Sequence, residues 1–134
     1  MAKGVSRTKP CSAATRSGRL AKGRQFWIAA ELLDALVGDE DDLCDAHTTL
    51  CVHAGIGAAD VICCARLGEH SSGQDHNEAV TLLQSADKTI AKHLSVLLDM
   101  KTRSGYSSTK SSPADRKRAK RSAQALFEAA ELVQ

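Results

Sequence analysis

Aromatic residues are nearly missing from this chain: Phe26, Trp27, Tyr106 and Phe127 are the full set in 134 positions. Only two prolines occur, and clusters of β-branched and aromatic residues are scarce. This composition argues against strands and for a core of Leu, Val, Ile and many Ala between close-packed helices. No Walker, dinucleotide-binding or helicase motif is present, nor a nucleophile elbow or a CxxC pair, so the signatures of nucleotide-driven and hydrolase chemistry are lacking. The longest run without a charged residue, Ala46 to Ala59, is shorter than a bilayer requires, so no membrane association is expected. Five cysteines, an odd number, appear without a secretory apolar leader, a pattern that fits a reducing cytoplasm. At this length the chain is expected to form one domain with its own apolar core.

Charge is not scarce but segregated. The formal net charge of +2 hides three blocks. Residues 1–24 carry seven Lys or Arg and no acid, residues 25–60 carry eight acids and no Lys or Arg, and residues 101–121 carry eight Lys or Arg against Asp115 alone. Two cationic blocks raise the expectation of a polyanionic partner, while solvated faces and intrachain pairing are the simpler reading.

Residues 1–18 are basic, rich in Ser, Thr and Gly, and lack apolar spacing, which predicts a flexible tail ahead of one helical domain over 19–134. A first helix is expected from about Ser17 or Arg19 to Val37, closed by Gly38 and the acids Asp39 to Asp42. A second, the least polar, spans about Leu43 to Leu67. Its small residues Ala54, Gly55, Gly57, Ala58 and Ala59 cost helix propensity and predict close approach of a neighbour, at a bundle centre or a dimer seam. Asp75 with Glu78 reads as a capping box opening a third helix that keeps apolar spacing through Met100. Ser112, Pro113 and Asp115 then supply a cap, a proline at the first helical position and a first-turn acid for a fourth helix to about Val133. Four amphipathic helices with short connections predict an all-α protein, an antiparallel four-helix up-and-down bundle.

Between the third and fourth helices lies a cationic loop carrying Lys101, Arg103, Tyr106 and Lys110, followed by the basic helix start Arg116, Lys117 and Lys120. Lys and Arg there would contact phosphate, and Tyr106 would stack on a base or donate its hydroxyl. The plain structural alternative packs Tyr106 over the last helix.

Three features together, in this order, resemble the HEPN family of small helical bundles from prokaryotic toxin–antitoxin and defence systems. These are the opening helix Ala21 to Leu33, the passage from Leu97-Leu98 to Tyr106-Ser107, and Asp115 with Ala123 to Ala130. The resemblance covers roughly residues 19–134 and implies a four-helix fold and a homodimer. Family members with ribonuclease activity use an Arg and, after a gap of four to six residues, a His ahead of the last helix. Here that frame reads Lys101, four residues, Tyr106, with Arg103 between. Lys does not reproduce the planar arginine fork, and tyrosine is a poor acid or base near neutrality, so binding of RNA or a nucleotide-bearing partner, with little or no nuclease activity, is the expected function. A metal-independent ribonuclease using Arg103, Tyr106 and His70 or His76 is one alternative. An interaction module without nucleic acid is another. The resemblance also implies a nucleotidyltransferase-type antitoxin partner that could modify Tyr106.

Two other constellations stand out. Cys44, His47 and Cys51 share a helical face and are weak metal candidates against the simpler reading of small buried side chains. No cofactor or bound metal is expected. Asp60 sits inside the apolar run Ala58 to Ile62, so its carboxylate is expected to be buried and paired with a Lys, Arg or His from another helix or a second subunit.

Overall fold

A computed structural model describes residues 7–37, 43–72 and 75–134 of the chain. Its elements run β1 (Thr8–Pro10), α1 (Ala13–Val37), α2 (Cys44–Leu67), β2 (Glu69–Ser71), α3 (His76–Ala86), α4 (Ala91–Gly105) and α5 (Pro113–Val133). The protein is all-α apart from one short antiparallel ribbon, in which Lys9 stands opposite His70. The expected helix end at Gly38 to Asp42 lies outside the described residues.

Helix α2 is the axis of the molecule. It is buried almost all round from Cys51 to Cys64 and packs against α1, α3, α4, α5 and β2. Its length and a mean hydropathy of 1.5 over an 18-residue window suffice for a membrane span, yet 61% of that window is covered by the chain's own helices. The small residues explain how. A Cβ on Gly57 would lie 3.0 Å from Gly23 Cα of α1, and one on Gly55 would lie 2.2 Å from Leu97 Cδ1 of α4. The close approach expected of this segment is therefore made by α1 and α4 of the same chain.

The aromatics are used sparingly. Trp27 stacks on Phe127 with ring centroids 6.2 Å apart, tying α1 to α5, and Phe26 stacks on the His53 ring at 5.1 Å. Leu83, Leu97 and Leu126 are fully buried and complete the core with Val52, Val61 and Ile62 of α2.

Three expectations need correction. The single helix drawn from Asp75 to Met100 is two, because Asp87 interrupts it: its carboxylate accepts from Thr89 N–H at 3.1 Å, Thr89 Oγ1 at 2.8 Å and Ile90 N–H at 3.3 Å. A short polar side chain has captured backbone donors that a continuous helix would have used. Second, Asp75 does cap α3, accepting from Asn77 and Glu78 N–H groups, but Glu78 reaches instead to the Arg7 backbone N–H at 3.1 Å. The full reciprocal box belongs to Ser112 and Asp115 at the start of α5.

Third, the flexible tail placed over 1–18 does not extend through its described part. Residues 8–10 form β1 and α1 already starts at Ala13, with the Ser12 hydroxyl accepting from Thr15 N–H at 3.1 Å. A three-residue strand carries no periodicity of its own; it exists because β2, about sixty positions later, offers it a partner. A disulfide between Cys11 and Cys64 fastens the ribbon to α2. Such bonds are rare in reducing compartments, so this one departs from the thiol state that the odd cysteine count suggested. Cys51 and Cys63 are buried thiols, both pushed up to about 12 by burial, and Cys44 is buried as well.

Candidate functional site

The cationic junction ahead of α5 is more helical than its sequence suggests. Helix α4 continues to Gly105, so Lys101 and Arg103 lie in its final turns rather than in a loop, and Tyr106 is its C-terminal cap residue, donating its N–H to the Thr102 carbonyl at 2.9 Å. The segment that follows is held where it meets α5. The Ser111 N–H donates to Asp45 Oδ1 of α2 at 2.9 Å, and the Ser112 N–H donates to Asp115 Oδ2 at 3.1 Å.

Tyr106 does not plug the core: it is 83% exposed. With Lys101 and Ser104 of α4 and His53 and Thr49 of α2 it lines a groove of about 170 Å³. Thr49 Oγ1 donates to Ser104 Oγ at 3.1 Å across that groove, fixing the two helices there. His53 is held below its ordinary pKa by partial burial and by the nearby Lys101 cation, so its imidazole favours the neutral form. His53 was legible only as one histidine among five; nothing in its local spacing sets it opposite a residue about fifty positions on.

The basic residues expected to contact RNA divide into two sets. Arg116 is buried, 2% exposed, and is bound to the Asp34 carboxylate of α1. Lys120 donates to the other oxygen of Asp34 at 2.5 Å. Arg116 is thus structural, and its assignment to an RNA surface is corrected, while Lys120 shares the same carboxylate with its side chain still 39% exposed. The Lys120 hydrogen bond, helped by Arg116, holds the Asp34 carboxyl below its ordinary pKa. Lys110 and Lys117 remain exposed. Arg103 is half exposed and makes an ion pair with Asp115 at 3.3 Å. Backbone donation from Ser112 holds the Asp115 carboxyl below its ordinary pKa, with the Arg103 cation adding to it.

Arg118 and Arg121 belong to the basic block of the sequence, but their meeting with Lys92 and His93 of α4 was not legible in it. Lys92, Arg118 and Arg121 border a shallow groove between α4 and α5 that also contains His93, whose Nδ1 lies 3.1 Å from Ser122 Oγ. Arg103 and Arg118 both pair with Asp115, at 3.3 and 3.8 Å, and Lys117 is exposed on the same helix as Arg118.

Cys44, His47 and Cys51 are all buried on one face of α2, with Cys51 Sγ 3.8 Å from His47 Nδ1. Among the described residues no group of three or more His, Cys, Asp or Glu side chains converges as a metal would require. Burial favours the neutral thiol of Cys51 and the neutral imidazole of His47, which suits a packed core. Asp60, 7% exposed, pairs with Arg19 of α1 at 2.9 Å. His70 and His76 lie away from Tyr106, around a separate cavity under the β-ribbon that shares only Lys101 with the tyrosine groove.

No family model, curated protein or solved structure matches this chain.

Proposed function

We propose that this protein binds single-stranded RNA through the groove between α2 and the end of α4, with little or no nuclease activity, as a HEPN-like four-helix arrangement in which α3 and α4 together take the place of one third helix. The observation that carries the reading is the exposure of Tyr106, 83%, in a chain that buries or half-buries its other three aromatics. An exposed ring beside a lysine is the combination that nucleic-acid surfaces use: the ring stacks on a base and the ammonium holds a phosphate. Arg103, Lys110 and Lys117 supply further phosphate contacts.

The same proposal includes a homodimer and a toxin–antitoxin or defence setting with a nucleotidyltransferase-type partner acting on Tyr106. A dimer has a surface available to it: Ile28, Leu32 and Leu36, spaced four apart along α1, are 47%, 62% and 83% exposed. The setting rests on the family resemblance alone.

One observation favours a second reading, a metal-independent ribonuclease. His53 supplies the imidazole that the segment after Tyr106 lacks, and a neutral imidazole beside a lysine can take a proton from a ribose hydroxyl.

Titrating labelled single-stranded RNA with purified protein in EDTA, at several salt concentrations, tests both. Salt-sensitive binding of intact RNA is the expected result. Cleavage that disappears in His53→Ala establishes the ribonuclease instead, and the absence of both binding and cleavage removes nucleic acid from the account.

A further inference from the structure

A cavity larger than the tyrosine groove, a crevice of about 290 Å³, lies beneath the β-ribbon, between α2, α3 and α4. Its volume sits at the lower end of the range for small-molecule sites, roughly 300 Å³ upward. Ile56 of α2 and Leu94 and Leu98 of α4 form an aliphatic part of the wall. The polar part includes Lys9 and Lys101.

Two acids reach this crevice, and each already has partners. Asp60 is bound to Arg19, and the Asp75 carboxylate accepts two backbone N–H groups at the start of α3. Two lysines also reach it, Lys9 from β1 and Lys101 from α4, and neither makes an ion pair among the described residues. His70 is 7% exposed, and its Nδ1 is 2.9 Å from the Ser71 carbonyl oxygen. Because that oxygen can only accept, Nδ1 carries the proton. His76 completes the ring, and the buried hydroxyl of Ser71, on the same wall, has no hydrogen-bond partner among the described residues. A buried hydroxyl without a partner normally costs stability, so its place in the wall of a cavity points to a ligand.

Two lysines that make no ion pair among the described residues, with an unsatisfied hydroxyl beside an aliphatic wall, select a compact organic molecule with a doubly charged head. We propose that this crevice binds a phosphomonoester of mononucleotide size, with Lys9 and Lys101 on its phosphate and Ile56, Leu94 and Leu98 against its organic body. A carboxylate has one charge for two lysines, and inorganic phosphate leaves the aliphatic wall uncovered. The disulfide between Cys11 and Cys64 has a part in this, since it anchors the strand that carries Lys9.

This proposal does not rest on RNA binding at Tyr106, and the two are separable because Lys9 belongs only to the crevice and Tyr106 only to the groove. The experiment is calorimetric titration of the full chain with uridine 5′-monophosphate, uridine and inorganic phosphate. The nucleotide is expected to bind one to one, with uridine and inorganic phosphate each at least about tenfold weaker. Lys9→Ala should weaken the nucleotide about tenfold, Lys9→Arg should largely restore it, and Tyr106→Ala should leave it unchanged. Nucleotide addition should also shift the imidazole proton resonances of His70 and His76 in the unmodified protein, which requires no variant to fold. The proposal is overturned if no saturation occurs up to about 10 mM nucleotide, if uridine or inorganic phosphate binds equally well, or if Tyr106→Ala abolishes binding while Lys9→Ala does not.

Discussion

The Asp34 carboxylate of α1 accepts from Lys120 Nζ of α5 at 2.5 Å, joining the acidic block of the chain to its most basic helix across 86 positions. Its other oxygen takes Arg116, whose side chain is 3% exposed. A buried guanidinium deprived of this carboxylate is costly, so Asp34→Asn should destabilise the protein by about 3 kcal/mol. Lys120→Ala should cost well under about 1 kcal/mol, because that side chain is 39% exposed and screened by water. Urea unfolding of the two variants checks the ranking.

The same carboxylate sets part of the acid limit of the fold. Its native pKa lies below the ordinary value of 3.8, so it binds fewer protons folded than unfolded. The stability it contributes is therefore present above about pH 4 and is lost as pH falls through the lower native value. Stability measured from pH 6 down to pH 2 should decline less steeply in Asp34→Asn than in the unmodified protein.

Tyr106→Ala should weaken single-stranded RNA about tenfold or more, the scale of one lost stacking contact, and leave thermal stability unchanged because the ring is exposed. Tyr106→Phe should retain most of the affinity. Fluorescence anisotropy on the three proteins decides whether stacking or the hydroxyl matters.

Removing the disulfide should cost about 2–4 kcal/mol, since the bond closes a loop of 53 positions that the unfolded chain otherwise explores freely. Cys11→Ser, compared with the reduced unmodified protein in thermal denaturation, gives the value. Agreement between the two would attribute the loss to the bond itself.

Gly57→Ala should destabilise by about 1–3 kcal/mol despite the better helix propensity of alanine. The new methyl meets Gly23 Cα at 3.0 Å and the Arg19 carbonyl at 3.3 Å, and backbone atoms of a packed helix cannot step aside. Denaturant midpoints for Gly57→Ala and for the exposed Gly18→Ala, which meets nothing within 4 Å, separate crowding from propensity.

Much of the helical content was legible because it is written locally. The ends of α5 follow from Ser112, Pro113 and Val133, and the span of α2 from its apolar run. The break at Asp87 was not, since apolar spacing runs on through Leu82, Leu83, Ile90 and Leu94 and only the carboxylate's choice of donors ends the helix. Similarly, no local pattern distinguishes Arg116, which turns inward to Asp34, from Lys117, which faces solvent one residue later. The candidate site was half visible. Lys101 and Tyr106 stood out as a lysine and the only tyrosine at a helix junction, while His53 and the crevice of Lys9 and His70 arise from contacts between distant segments.

The arrangement around α2 also grades the molecule by how readily its parts open. Amide protons in the most buried stretch of α2, Ala58 to Cys64, should exchange only when the whole chain unfolds. Helix α3, eleven residues long and anchored through buried Leu82 and Leu83, can lift away first. Since His76 and Ala79 of that helix wall the crevice, its detachment gives a ligand of the crevice an entry route that leaves the Tyr106 groove undisturbed.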